Sequence, residues 1–206
     1  MDREGLEAVT MRRIGRELGV EAMSLYNHVR DKDDILDGMS DAVMSQFEMP
    51  APTGDWSRDV RAMAREWRRL LGLHPGVMEL LAERHKPIEG VHAYRPMDRA
   101  LEVLHRAGLR PREATQAFNA LGSYIMGFVM MEQGLMLGHD QGQHAHDHEG
   151  VAEALQQAGL ARLAQCFRYF AECPTDEQFE FGLDLMVRGL KTRTTQRTQA
   201  AERTAR

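Results

Sequence analysis

The sequence predicts an all-α protein: a short helical region at the front of the chain and a larger helical bundle behind it. Three observations predict this. Apolar residues recur at the 3.6-residue helical period along almost the whole chain, the alternating Val/Ile/Thr/Tyr runs of strands are absent, and capping residues and breakers punctuate the periodic segments. With 206 residues, 43% of them hydrophobic and 28% charged, the chain has the balance of a globular protein able to bury a proper core.

In chain order, the period predicts helices over Met11–Leu18, Ala22–His28, Lys32–Phe47, Trp56–Leu73, Gly76–His85, Pro96–Ala107, Pro111–Leu137, Val151–Ala171 and Asp176–Thr192. Thr10 is a natural N-cap for the first, and Gly19 turns the chain before the second. Asp55 precedes Trp56, Pro75 follows His74, Gly108 closes the sixth helix, and Pro111 sits where a first helical turn tolerates it. The stretch Glu48-Met-Pro-Ala-Pro-Thr-Gly54 breaks the pattern and separates a domain over residues 1–48 from one over 55–192. Residues 193–206, the end of the Thr/Arg-rich stretch from Lys191, carry no apolar periodicity and read as a flexible tail. Gly138–Gly150 reads as a mobile loop.

A net charge of −5 gives no general reason to bind nucleic acid, so any such function must be local. The two cysteines, Cys166 and Cys173, fall seven apart, on and just past the end of one expected helix, and need no bridge, which fits a reducing compartment. No stretch reaches the roughly 18 consecutive apolar residues of a membrane helix, and the first residues lack the order of a signal peptide; a cytoplasmic protein is expected.

The local feature lies between Thr10 and Lys32, where two short amphipathic helices flank a tight turn in the spacing of a helix-turn-helix. Ile14, Leu18, Val20, Leu25 and Val29 supply the apolar positions that would hold the helices together, and Gly15 would let them approach. Ala22, Met23, Ser24, Asn27 and His28 are left facing outward on the second helix, as small, amide, imidazole or apolar groups suited to base edges and thymine methyls. Thr10, Tyr26 and Lys32 are placed to bond phosphates. Residues 1–48 hold six basic and eleven acidic residues, but Thr10–Lys32 holds five basic against three acidic. Modest, salt-sensitive non-specific binding to DNA is expected.

This segment resembles the TetR family of transcriptional regulators, whose helix-turn-helix reads close to T-x-R-x-[LI]-x-x-x-L-G-V-x-x-x-[ST]-L-Y-x-H-V-x-x-K. The resemblance implies DNA contacts from Arg12 at the start of the first short helix, from Ala22, Met23, Ser24, Asn27 and His28, and phosphate contacts from Thr10, Tyr26 and Lys32. It continues at Ala114–Gln133 and Phe179–Leu190, which look like the two dimerising helices of a tetracycline-repressor-type regulatory domain. In the family a full helix precedes the opening Thr. Here nine residues precede Thr10, so the first helix reads as truncated, and Ile14, Leu18 and Leu25 are expected to lose an apolar partner.

The family implies a small-molecule cavity between the bundle helices. Phe118, Met126 and Met130 recur at four-residue multiples on one face of the long seventh helix, and Trp67, Met97, Leu101 and Tyr124 are candidates beside them, with Asn119 and Tyr124 as polar anchors. The segment Arg84–Arg95 differs from the family's histidine- and magnesium-bearing tetracycline site, so no ligand residue is carried across and tetracycline is not an expected effector. No metal or cofactor is expected. The histidines of His139–His148 read as a solvated loop, and the pairs Glu89/His92 and Glu102/His105 stand too close in sequence to build a di-metal bundle site. No nucleophile with a base, phosphate loop or dinucleotide fingerprint appears, so the protein is not expected to be an enzyme. The expected function is that of a homodimeric, ligand-responsive repressor bound to double-stranded operator DNA and released by a small molecule. The alternative is a helical ligand-binding or interaction module that has lost DNA binding with its first helix.

Overall fold

The computed structural model describes residues 5–83, 91–133, 148–172 and 175–204, and among them it places ten helices and no strand. They are α1 (Met11–Leu18), α2 (Ala22–Leu25), α3 (Lys32–Met44), α4 (Trp56–Leu73), α5 (Pro75–Glu83), α6 (Val91–Arg106), α7 (Pro111–Glu132), α8 (His148–Gln157), α9 (Ala161–Glu172) and α10 (Thr175–Thr204). No helix among the described residues is long and apolar enough to cross a membrane.

The ends follow local chemistry. Thr10 Oγ1 accepts from Arg13 N at 3.2 Å, Asp31 from Asp34 N at 3.0 Å, and Asp55 from Ser57 N at 2.8 Å, each satisfying an orphan donor of a first turn. Pro111 starts α7, and Glu113 reaches back to accept from Arg110 N at 3.1 Å.

α4 is the central post of the larger unit, packed against α5, α6, α7 and α10. Its core includes Leu70, Val77, Val103, Leu104, Val129, Phe179, Leu183 and Val187, all at most 1% exposed. Such burial follows from one wide apolar stripe per helix. Phe179 lies at the junction of α4, α7 and α10. It stacks on Tyr124 (centroids 5.5 Å), meets Phe128 edge-on (5.2 Å), and receives the Arg68 guanidinium over its face at 4.7 Å. Arg68 also pairs with Glu132 of α7 and Asp176 of α10. One turn and two turns back on α4, Arg65 pairs with Glu180 and Arg61 with Asp184, so arginines rung α4 to the acidic residues of α10.

Several expectations change here. The expected single helix Val151–Ala171 is two, α8 and α9. Gly159 takes φ +77°, the left-handed conformation that ends a helix cheaply only at glycine, and Leu160 N bonds back to Leu155 O at 2.8 Å. The segment expected as a flexible tail continues α10 to Thr204. Extending a formed helix costs far less than nucleating one, residues 193–204 contain no Pro or Gly, and Thr192, Thr194 and Thr195 hydroxyls donate to carbonyls three or four residues back. α6 starts at Val91, with Pro96 inside it, and the second short helix gives way after Leu25 to turns at Tyr26–His28. The expected ends of the fifth and seventh helices, the His139–His146 part of the loop, and Cys173 lie outside the described residues; Cys166 is exposed.

The front of the chain is also packed differently from expectation. Residues 5–9 form a turn, closed by Val9 N to Leu6 O at 3.0 Å, and Leu6 (4% exposed) and Val9 (7%) are buried with Leu36 of α3 and Leu80 of α5. Leu25 is buried and Ile14 packs against this cluster. Leu18 and Val20, expected to hold the two short helices together, are instead 65% and 45% exposed. Both sit at the tight turn, where the contact between α1 and α2 is made by backbone at Gly15 and leaves those side chains outside.

Candidate nucleic-acid interface and ligand cavity

The helix-turn-helix is locked by backbone. Val20 N donates to Gly15 O at 2.9 Å, and Gly15 lies so near that a Cβ built on it would stand 2.8 Å from Val20 O and 3.1 Å from Ala22 N. This contact sets the crossing of α1 and α2, and with it the direction of the recognition face. On that face Met23 (73% exposed) and Tyr26 (46%) stand out, and Asn27, His28 and Arg12 are exposed with them. Ala22, Ser24 and Lys32 are half-buried, and the Ser24 hydroxyl donates to Glu21 O at 2.7 Å within its own turn. Thr10 is exposed, with its hydroxyl oxygen already accepting the capping bond.

Behind the recognition face, Arg30 and Asp34 close the entry to α3. Arg30 donates its backbone N–H to Asp34 Oδ2 at 2.8 Å and its Nε at 2.9 Å, and these bonds hold the Asp34 carboxyl at about 2 rather than 3.8.

Two buried carboxylates of α4 fasten the linker that joins this unit to the bundle. Asp59, 4% exposed, accepts from Thr53 N and Oγ1 at 2.8 and 2.7 Å and from Arg106 of α6 at 2.7 Å. Burial pushes its carboxyl up, but the bonds from Thr53 and Arg106 outweigh that and leave it below the ordinary carboxylate range. Glu66 accepts from Glu48 N at 2.8 Å and pairs with Arg69; against the same opposing effect of burial, its carboxyl too is held low. A carboxyl lowered in the fold stabilises it above the unfolded value, near 4, and that contribution is lost as pH falls through the lowered value. Thermal melting is therefore expected to move to lower temperature between about pH 5 and about pH 2, and Asp59→Asn should flatten that part of the profile. A melting temperature independent of pH across that window would contradict this account.

A cavity of about 320 Å³ opens between α4, α6 and α7. α4 contributes Val60, Met63, Ala64, Trp67 and Leu71, and α6 contributes Ala100 and Leu104. From α7 come Phe118, Asn119, Leu121, Gly122, Ser123, Ile125 and Met126. Of the residues singled out in the sequence, Trp67, Phe118, Asn119 and Met126 line it, whereas Met97, Leu101, Tyr124 and Met130 do not. Met97 is exposed, and Leu101 and Met130 pack half-buried against the core. Tyr124 turns to α10 and donates to Phe179 O at 2.7 Å. α7 packs against α4, α6 and α10, and its period alone does not say which side encloses a space. Of the α4 wall the sequence candidates held Trp67 alone; Val60, Met63, Ala64 and Leu71 share the apolar period of core residues, which does not set a lining residue apart.

One contact ties the cavity to the front unit, and a second ties the large core to it. Trp67 packs on Phe47, just beyond α3, with centroids 5.4 Å apart. α5 divides its apolar residues between the two cores: Val77 and Met78 enter the large one, and Leu80 (1% exposed) joins Leu6, Val9 and Leu36. Elsewhere, His105 Nδ1 lies 2.9 Å from Leu109 O and Glu102 pairs with Arg99, so this couple serves the end of α6. Among the described residues no cluster of His, Cys, Asp and Glu could hold a metal.

A helix-turn-helix with an exposed recognition face, joined to an α-helical domain with an apolar cavity, defines the class of one-component DNA-binding regulators. The family described as bacterial regulatory proteins, tetR family, matches residues 1–39, and the tetracyclin repressor-like C-terminal domain matches residues 49–194. The chain belongs to the TetR family. It is 31% identical to the HTH-type transcriptional repressor DrrR1 of Streptomyces coeruleorubidus over 95% of this chain and 74% of that protein. It is 28% identical to the tetracycline repressor protein class A from transposon 1721 of Escherichia coli, over 92% of this chain and 84% of the relative. The structure is similar to apo ActR from Streptomyces coelicolor, with TM-score 0.79 and 26% identity over 95% of this chain and 90% of that one. It is likewise similar to ActR in complex with actinorhodin, with TM-score 0.78 and 27% identity over 94% and 91% of the two chains.

Proposed function

We propose that this chain is a homodimeric transcriptional repressor that binds operator DNA through its helix-turn-helix and releases it when a small molecule fills the cavity between α4, α6 and α7. The observation that carries the reading is the exposed face of Met23, Tyr26, Asn27 and His28 on a turn that backbone contacts hold rigid. Apolar Met23 suits thymine methyls, Asn27 and His28 suit base-edge hydrogen bonds, and Arg12, Tyr26, Thr10 and Lys32 suit phosphates. Ala22 and Ser24, half-buried, support close approach to the groove more than long-range contact.

A dimer is supported by α10, where Phe181 (69% exposed) and Leu185 (57%) stand one turn apart on the outer face. Two large apolar groups there are costly in water and suit a two-fold partner. Symmetric operator half-sites about one helical turn apart follow. Release requires that the ligand favour one dimer conformation over the other. Trp67 against Phe47, and Leu80 within the front cluster, are the contacts through which a filled cavity reaches α3.

The test is selection of duplexes from a random library, followed by affinity measurement for the selected site. Arg12→Ala and Tyr26→Ala should each weaken binding by about fivefold to thirtyfold, equivalent to about 1–2 kcal/mol, without changing the dimer seen by sedimentation. Full affinity in both variants would count against the assignment.

A further inference from the structure

We propose that the cavity takes an uncharged, flat aromatic molecule and discriminates against charged ones of the same shape; this rests on the cavity being the effector site. Its lining includes Trp67 and Phe118, half-buried large planar surfaces, together with the deformable thioethers of Met63 and Met126. The amide of Asn119 and the hydroxyl of Ser123 lie one turn apart on α7, and both residues are exposed, so the hydrogen-bonding groups stand at the rim. Inside, a ligand meets only hydrocarbon, indole and sulfur. Among the described residues no lining side chain ionises.

A charged group carried inward would therefore lose its hydration with no counter-charge to replace it, a cost that exceeds what aromatic faces return. The volume is at the small end of the roughly 300–1,000 Å³ range of ligand pockets, which fits two or three joined rings. The arginines of α4 at positions 61, 65 and 68 are engaged with Asp184, Glu180 and Glu132 of α10 and α7.

N-Phenyl-1-naphthylamine and 8-anilino-1-naphthalenesulfonate share one ring system and differ by a sulfonate, and ethidium adds a flat cation. Fluorescence titration of the full chain with each probe tests the proposal. The neutral amine is expected to bind saturably, one per chain, at least tenfold more tightly than either ion. Gly122→Met, at a position where an added Cβ meets nothing within 4 Å, should fill the cavity and weaken amine binding at least tenfold while the chain stays folded by thermal melting. Ala100→Leu does the same from α6 should the first variant fold poorly. Equal or tighter binding of the sulfonate or of ethidium, or no saturable binding of the amine, overturns the proposed ligand class. If the amine binds but neither filled variant weakens it, the cavity is not the site, and the effector-site reading itself fails.

Discussion

Gly15→Ala is expected to abolish operator binding, with a loss on the order of a hundredfold or more, while leaving the C-terminal domain folded. The new methyl would stand 2.8 Å from Val20 O and 3.1 Å from Ala22 N, both backbone atoms. No side-chain rotation relieves this, and the Val20 N to Gly15 O bond holds the same two segments together at 2.9 Å. α2 must shift or tilt away from α1. A base contact is worth about 1–3 kcal/mol, so displacing the face that carries Met23, Asn27 and His28 forfeits several at once. The check is anisotropy of a labelled operator duplex beside a thermal melt. Gly38→Ala on the exposed side of α3, where an added Cβ meets nothing within 4 Å, is the control and should leave affinity unchanged. Retention of affinity within about threefold in Gly15→Ala would show that the crossing of α1 and α2 does not orient the reading face.

Phe179→Ala is expected to cost about 3–5 kcal/mol of stability. Its ring is fully buried and touches Tyr124, Phe128 and the Arg68 guanidinium, so truncation leaves a hole at the junction of α4, α7 and α10. It also removes one of the two rings over which the Arg68 guanidinium lies, while that arginine remains paired with Glu132 and Asp176. Urea unfolding at fixed chain concentration measures the loss, since a dimer's stability depends on concentration. Phe181→Ser, two residues along the same helix but 69% exposed, separates packing from association. It should barely change the midpoint of the dissociated chain while raising the dimer dissociation constant at least tenfold. A cost under about 1 kcal/mol for Phe179→Ala would mean that this junction collapses around the gap, and its role in joining the three helices would fall.

Local chemistry made much of this molecule legible from its residues alone. Helical period and caps located α1, α4 and the start of α7 at their observed first residues, because Thr10, Asp55 and Pro111 act through bonds or constraints within one turn. The helix-turn-helix was legible for the same reason, and the positions expected to face DNA include Met23, Tyr26, Asn27 and His28, which are exposed. Whatever depended on which helix stands beside which was not legible. Tyr124 and Met130 share a helix with the cavity-lining Phe118 and Met126, and only the placement of α10 draws Tyr124 away. Leu6 and Val9 carry no periodic signal, and their burial exists because α5 crosses from the bundle to supply Leu80. Asp59 and Glu66 look like ordinary surface acids on a charged helix; the return of the linker at Glu48 and Thr53 makes them buried anchors.

The starts of α1, α4 and α7 and the exposure of Met23, Tyr26, Asn27 and His28 were thus written in short-range bonding and in a repeating apolar stripe. A stripe tells a helix that it must be covered but not by what. Enclosed space, buried ion pairs and the crossing of one domain's core by the other's helix arise between segments far apart in the chain, so packing in three dimensions alone decided them.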